Sequence, residues 1–142
     1  MKHFVKSFAD ASYSIFILRL VLAAVFLAHG SQKVLGIFGG YGLAVTTQFF
    51  VSKLHIPVFL AYVASFTEFL GGFSMLLGIV TRVFAAGLAI DMAVAILAVH
   101  LKNGFFGPTG FEFPLVLLVI AVAVFLLGPG KLSVDAQLFP KD

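Results

Sequence analysis

Residues 66–82 read FTEFLGGFSMLLGIVTR, an apolar run with Glu68 two residues from its start. Asp91 sits eight residues into the next apolar run. Runs of this length and composition predict membrane-spanning helices. A carboxylate inside hydrocarbon is expensive, so both acids are expected to face the interior of a helix bundle. At about 100° per residue, Ala61, Ala64, Ser65, Gly71, Gly72 and Met75 share the Glu68 side, while Leu70, Phe73 and Leu77 lie elsewhere. Small residues let neighbouring backbones approach, so the Glu68 side should pack against other helices.

The whole chain supports that view. Its 142 residues are 61% hydrophobic and 11% charged, with a mean hydropathy of +1.14. Soluble domains carry about a quarter charged residues, so this is the balance of a membrane protein. The length allows four spans of about 20 residues and little else. The chain has no cysteine, which excludes disulfides, thiolate catalysis, thiolate haem ligation and cysteine-ligated iron–sulfur clusters. Redox chemistry would therefore need a bound cofactor or a partner. The net charge of +3 suits a bilayer with anionic lipid, and no basic stripe with interleaved aromatics points to nucleic acid.

The expected fold is all-α, an integral membrane four-helix bundle forming one domain over residues 1–142, with spans at 13–35, 57–79, 83–101 and 112–127. GIFGGYG (36–42) breaks the first span, and residues 43–54 mix Thr46, Thr47, Gln48 and Lys53 with Phe49, Phe50 and Val51. That piece is too short and polar to span, and predicts a short interfacial helix between spans one and two. The opening MKHFVKSF imitates a signal-peptide n-region, but Arg19 in the run and a poor cleavage box favour a retained first span. Four spans put both termini on one side. That side carries Lys2, Lys6, Arg82, Lys131 and Lys141 against Lys33, Lys53 and Lys102, which favours cytoplasmic termini. NGFFGPTGFEFP (103–114) predicts an aromatic anchor and turn at the outer interface.

Depth sorts the polar residues into two groups. Arg19, Asp91 and Glu68 fall at the inner to middle level, and His29, Gln32, Lys33, His100 and Glu112 in the outer third. In the lower group Arg19 and Asp91 are expected to form a structural ion network. Two carboxylates in low dielectric do not comfortably both ionise, so Glu68 is expected to hold a proton for part of a working cycle, or to recruit Lys33 or a histidine. The bland alternative is that the charges only lock the bundle. His29 and His100 share a depth, one requirement of a bis-His haem or metal site, but two residues on unaligned faces are too few and no metal is expected. A histidine and a carboxylate near the interface also suit a quinone head group, or His29 simply caps carbonyls there.

LRLVLAAVFLAHGSQKVLG in span one, FTEFLGGFSMLLGIVTR in span two, DMAVAILAVHLKNGFF in span three, FEFPL before span four and GPGKLSVDA after it together resemble the DoxX family. The resemblance runs from about Leu18 to Ala136. It implies a four-helix protein of the bacterial inner membrane, similar to a small subunit that passes electrons from thiosulfate to quinone in some sulfur-oxidising archaea. Other relatives of that kind look like membrane partners in thiol-stress and detoxification systems. The matched polar positions are Arg19, His29, Gln32, Lys33, Glu68, Arg82, His100, Lys102, Glu112, Ser133 and Asp135.

The leading expectation is a membrane redox component that binds a quinone or aromatic small molecule beside a soluble oxidoreductase partner. Glu68 and His29 would carry protons, and Lys33, Gln32, His100 and Glu112 would surround the head group. No intrinsic cofactor is expected beyond a bound quinone. The alternatives are a non-catalytic scaffold for a soluble oxidoreductase, or a small proton-coupled transporter in which a homo-oligomer supplies more helices.

Overall fold

The computed structural model describes residues 11–140. Lys2, Lys6 and Lys141, which entered the orientation count, and most of the signal-like opening lie outside the described residues. Among the described residues six α-helices occur in order: α1 (Ala11–Val34), α2 (Gly42–Leu54), α3 (Val58–Leu77), α4 (Thr81–Ala95), α5 (Glu112–Leu127) and α6 (Val134–Leu138). A π turn, Ile96–His100, and a 3-10 turn, Leu101–Asn103, continue α4. Three stretches are long and apolar enough to cross a membrane: Ser12–Val34, Val58–Leu77 and Thr81–Asn103.

The fourth bundle helix, α5, is apolar but has 16 residues, about 24 Å at the helical rise. Its start carries Pro114 in the first turn, where no backbone donor is missed. The preceding loop folds back onto that start through Phe111 N–H to the Gly104 carbonyl and Glu112 N–H to the Phe105 carbonyl. The expected turn forms at Gly107–Gly110, and Phe105 meets Phe106 and Phe111 edge to face. Phe106 stays exposed, as an interfacial anchor requires.

α1 packs most extensively on α3 and α5 on α4, with α3 against α4 joining the two pairs. Leu22 and Phe26, Met75, Leu88 and Met92, and Leu117 and Val124 form the core where the four long helices meet. Glycine sets the α1–α3 distance. A Cβ on Gly30 would lie 2.5 Å from the Phe69 backbone, and one on Gly72 would lie 2.7 Å from the Leu27 nitrogen. The small-residue side predicted from the sequence is therefore a backbone contact. α2 lies against α3 and α1.

One end of the bundle is locked by Arg19, which is 0% exposed. Its Nε donates to the Met75 carbonyl at 3.0 Å and its Nη2 to Leu76 at 3.3 Å, both at the end of α3, where carbonyls lack helical partners. Its Nη1 donates to Pro129 at 2.9 Å and Leu132 at 2.7 Å in the turn after α5. Phe16 stacks under the guanidinium at 5.8 Å. Gly78 ends α3 with φ +70, and a Cβ there would lie 2.6 Å from Arg19 Nη2.

The same end holds Asp135. Its carboxylate accepts from Val80 N–H at 2.7 Å and Thr81 N–H at 2.9 Å, capping the start of α4. Val80 has φ +51, uncommon for a β-branched residue, and Asp135 holds it there. Ser133 caps α6 by accepting from Ala136 N–H. Partial burial pushes the Asp135 carboxyl up, but hydrogen bonds from Thr81 and Val80, with the nearby Arg19 charge, hold it below its ordinary value. The expected pairing of Arg19 with Asp91 is thus corrected. Four carbonyls from two segments take the guanidinium, because a planar fork of donors fits converging carbonyls, and Asp91 lies elsewhere.

Candidate functional site

The other charged cluster is open. Lys33, on the last turn of α1, forms an ion pair with Glu68 Oε1 on α3. The contact is possible because Gly30 lets the α1 backbone lie against the chain at Glu68 and Phe69. Glu68 is 2% exposed, whereas the Lys33 side chain is 27% exposed. Asp91 of α4 lines the same cavity beside Glu68 and Lys33, near enough for its charge to act on both. Two acids and one cation converge from three helices. Among the described residues, none gives a hydrogen-bond partner to the buried Glu68 Oε2 or Asp91 Oδ2. Ionised carboxylates only accept, so they cannot satisfy each other without a hydrogen between them.

These groups form the floor of a cavity of about 480 Å³ between α2, α3 and α4. Its walls include Leu60, Val63, Ile90 and Val94, all also exposed on the outside of spanning helices. Ala64, Gly87, Ala95 and Ala98 leave the volume unfilled. Phe49 and Phe50 of α2 close one side and separate the cavity from a second hollow of about 460 Å³ lined by Gln32, Tyr41 and Thr46. Lys33 lines both.

His100 reaches the cavity because the helix is irregular. Nine regular residues after Asp91 would put it on the opposite side. The π turn adds one residue to a turn, which rotates the residues downstream of it by roughly 100°, and His100 lines the cavity with Asp91. Its Nδ1 lies 2.9 Å from the Thr109 carbonyl. A carbonyl only accepts, so Nδ1 carries the hydrogen there and a neutral ring leaves Nε2 as an acceptor.

The remaining expected site residues lie elsewhere. His29 is exposed on α1 and does not line the cavity. Around α1 it lies roughly 80° from Arg19, far enough to turn away from α3. It does not join His100, so the bis-His arrangement does not form. Gln32 donates to the Phe38 carbonyl at 2.9 Å and braces the α1–α2 connection. Glu112 accepts from Gly107 N–H at 3.3 Å and holds the aromatic loop. His55, which sequence reasoning missed, ends α2 in the left-handed conformation with φ +54 and lines the cavity. Its position directly before Ile56-Pro57, at the junction of interfacial helix and span, was the available signal.

A family model, DoxX, matches residues 14–101. "Putative oxidoreductase CatD" of Bacillus subtilis (strain 168) is 34% identical over 123 residues, covering 87% of this chain and 85% of the relative. "Uncharacterized membrane protein Rv3486" of Mycobacterium tuberculosis is 30% identical over 148 residues, covering 92% of this chain and 84% of the relative. A Haemophilus influenzae protein is 30% identical over 124 residues, with 86% and 81% covered. No solved structure matches. The matched stretch contains the cavity residues Lys33, Glu68, Asp91 and His100 and, of the lock, Arg19, whereas Pro129, Leu132 and Asp135 lie beyond it. This chain belongs to the DoxX family.

Proposed function

We propose that the cavity binds a lipophilic ring compound of the quinone or aromatic class, with its polar head on Lys33, Glu68 and Asp91. One observation carries this: an apolar cavity between spanning helices ends on buried charge with unpartnered oxygens. Pockets of a few hundred cubic ångströms with apolar walls and few convergent polar groups are the usual form of small-molecule sites. The exposed wall residues on α3 and α4 give a ligand dissolved in lipid a sideways approach.

Chemically, a hydroquinone becomes a quinone by losing two protons and two electrons. On this reading the Glu68–Asp91 pair takes the two protons one after the other, passing the first on before the second leaves, and Lys33 steadies negative charge on a ring oxygen as it develops. The electrons pass to a soluble oxidoreductase partner, because the chain has no cysteine of its own to receive them. The name of the Bacillus subtilis relative supports a redox setting. On the same proposal the chain sits in a bacterial inner membrane with cytoplasmic termini, supported by the excess of basic residues on that side.

The test is lipid extraction of the purified protein, then titration with short-chain quinone analogues read by thermal unfolding. The expected result is co-purified ring compound or a saturable stabilisation, lost in Ala64→Leu, which fills the cavity. No bound compound and no saturable shift with any analogue defeats the proposal.

A further inference from the structure

We propose that the cavity floor is built for a hydroxyl group, so that the site takes phenols and hydroquinones in preference to the matching quinones. This rests on the aromatic-ligand proposal above and narrows it. The groups facing the floor are Lys33 from α1, Glu68 from α3 and Asp91 from α4, with His55 and His100 also lining the cavity. Lys33 spends one of its three N–H donors on Glu68 Oε1. Glu68 Oε2 and Asp91 Oδ2 remain as buried acceptors to which none of the described residues donates.

A hydroxyl fits that set on both sides. Its hydrogen is donated to a carboxylate oxygen, and its own oxygen accepts from Lys33. A quinone carbonyl supplies only the second half and sets an acceptor against acceptors. A methyl ether does the same and adds bulk. His100 extends the pattern: with Nδ1–H committed to the Thr109 carbonyl, Nε2 is the nitrogen left to meet a second hydroxyl on the ring. The walls are apolar and Glu68 is 2% exposed, so water competes weakly. Sites with buried hydrogen-bonding groups discriminate strongly against ligands that leave those groups unpaired.

The test uses the purified full chain in detergent, under anaerobic conditions. A hydroquinone, its quinone and its dimethyl ether, all with the same short alkyl tail, are titrated and their affinities compared by calorimetry. The hydroquinone is expected to bind about tenfold or more tightly than either of the others. Glu68→Gln and Asp91→Asn should each narrow that preference, because an amide brings its own donor to the pair. Thermal unfolding of each variant identifies folded protein, and either variant alone suffices for the comparison. Quinone or ether binding as tightly as hydroquinone in the unaltered chain overturns the inference, as does an unchanged preference in the folded variants. If none of the three binds, the aromatic-ligand proposal itself fails.

Discussion

Arg19 and Glu68 are both buried charges on spanning helices, yet they are satisfied in opposite ways. Arg19 donates to four backbone carbonyls from two segments, with Asp135 nearby. Glu68 has one side-chain donor, Lys33, an acidic neighbour, an orphan oxygen and a cavity in front of it. A charge whose hydrogen-bonding capacity is filled by backbone fastens the fold. A charge left partly unfilled at the end of a cavity is available to something that enters. Intramembrane charge alone does not separate these cases; the partners do.

The largest effect should come from breaking the fastener. Arg19→Met leaves carbonyls at the end of α3 and in the turn after α5 without a donor, and is expected to cost about 3–5 kcal/mol in detergent unfolding experiments. Arg19→Lys should recover little, because a single ammonium cannot reproduce the fork. Stability near that of the unaltered chain in Arg19→Met would mean the lock is not structural.

Next comes the spacing that brings Lys33 to Glu68. Gly30→Val forces α1 away from Phe69 and should destabilise the fold by roughly 1–3 kcal/mol. It should also weaken any ligand binding at the cavity, checked in the same titrations. The two clusters would then share one dependence on helix packing.

Asp135 gives a pH test confined to the lock. Its carboxyl is held below its ordinary value in the folded chain. Its contribution is therefore fully present above the unfolded pKa, about 3.9, and is lost as pH falls through the lower folded value. Below about pH 4 the unaltered chain should lose stability more steeply than Asp135→Asn. Parallel pH curves for the two would remove Asp135 from the account.

The smallest effect on stability is expected at the open cluster. Glu68→Gln keeps shape and stays near Lys33 and Asp91, so unfolding should shift by no more than about 1 kcal/mol, while ligand binding changes strongly. A large loss of stability there would make Glu68 a second fastener.

Most of the fold was legible in the sequence because length and hydropathy fix membrane spans. The helix bounds expected at 112–127 coincide with those of α5, although α5 is shorter than the three helices long enough to cross a membrane, and the piece at 43–54 matches the helix α2 within one residue. The inward side of α3 was legible too, since glycines and alanines line up with Glu68. The partners were harder. Arg19 bonds to carbonyls, and every residue has one, so nothing in the side-chain sequence marks them. A depth count grouped Asp91 with Arg19 and Glu68, whereas in the fold Asp91 shares the cavity lining with Glu68 and Lys33, and Arg19 lies apart. His100 was expected at the head group, but its face was left open by the sequence: a regular helix turns it away from Asp91, and the π turn that brings it to the cavity has no sequence signature in an alanine- and valine-rich run. His29 shares an arc of about 100° with Arg19, Gly30 and Lys33 by helical periodicity, yet it is exposed.

The claim that one cluster is a site and the other a fastener is tested most directly by photolabelling. A diazirine-tagged hydroquinone is bound to the purified chain, irradiated, and its attachment points mapped by mass spectrometry. The account predicts labels on α3 and α4 residues around Leu60–Glu68 and Ile90–His100, competed away by untagged hydroquinone. Competed labels concentrated in the turn beside Arg19, or none at the cavity, would contradict it.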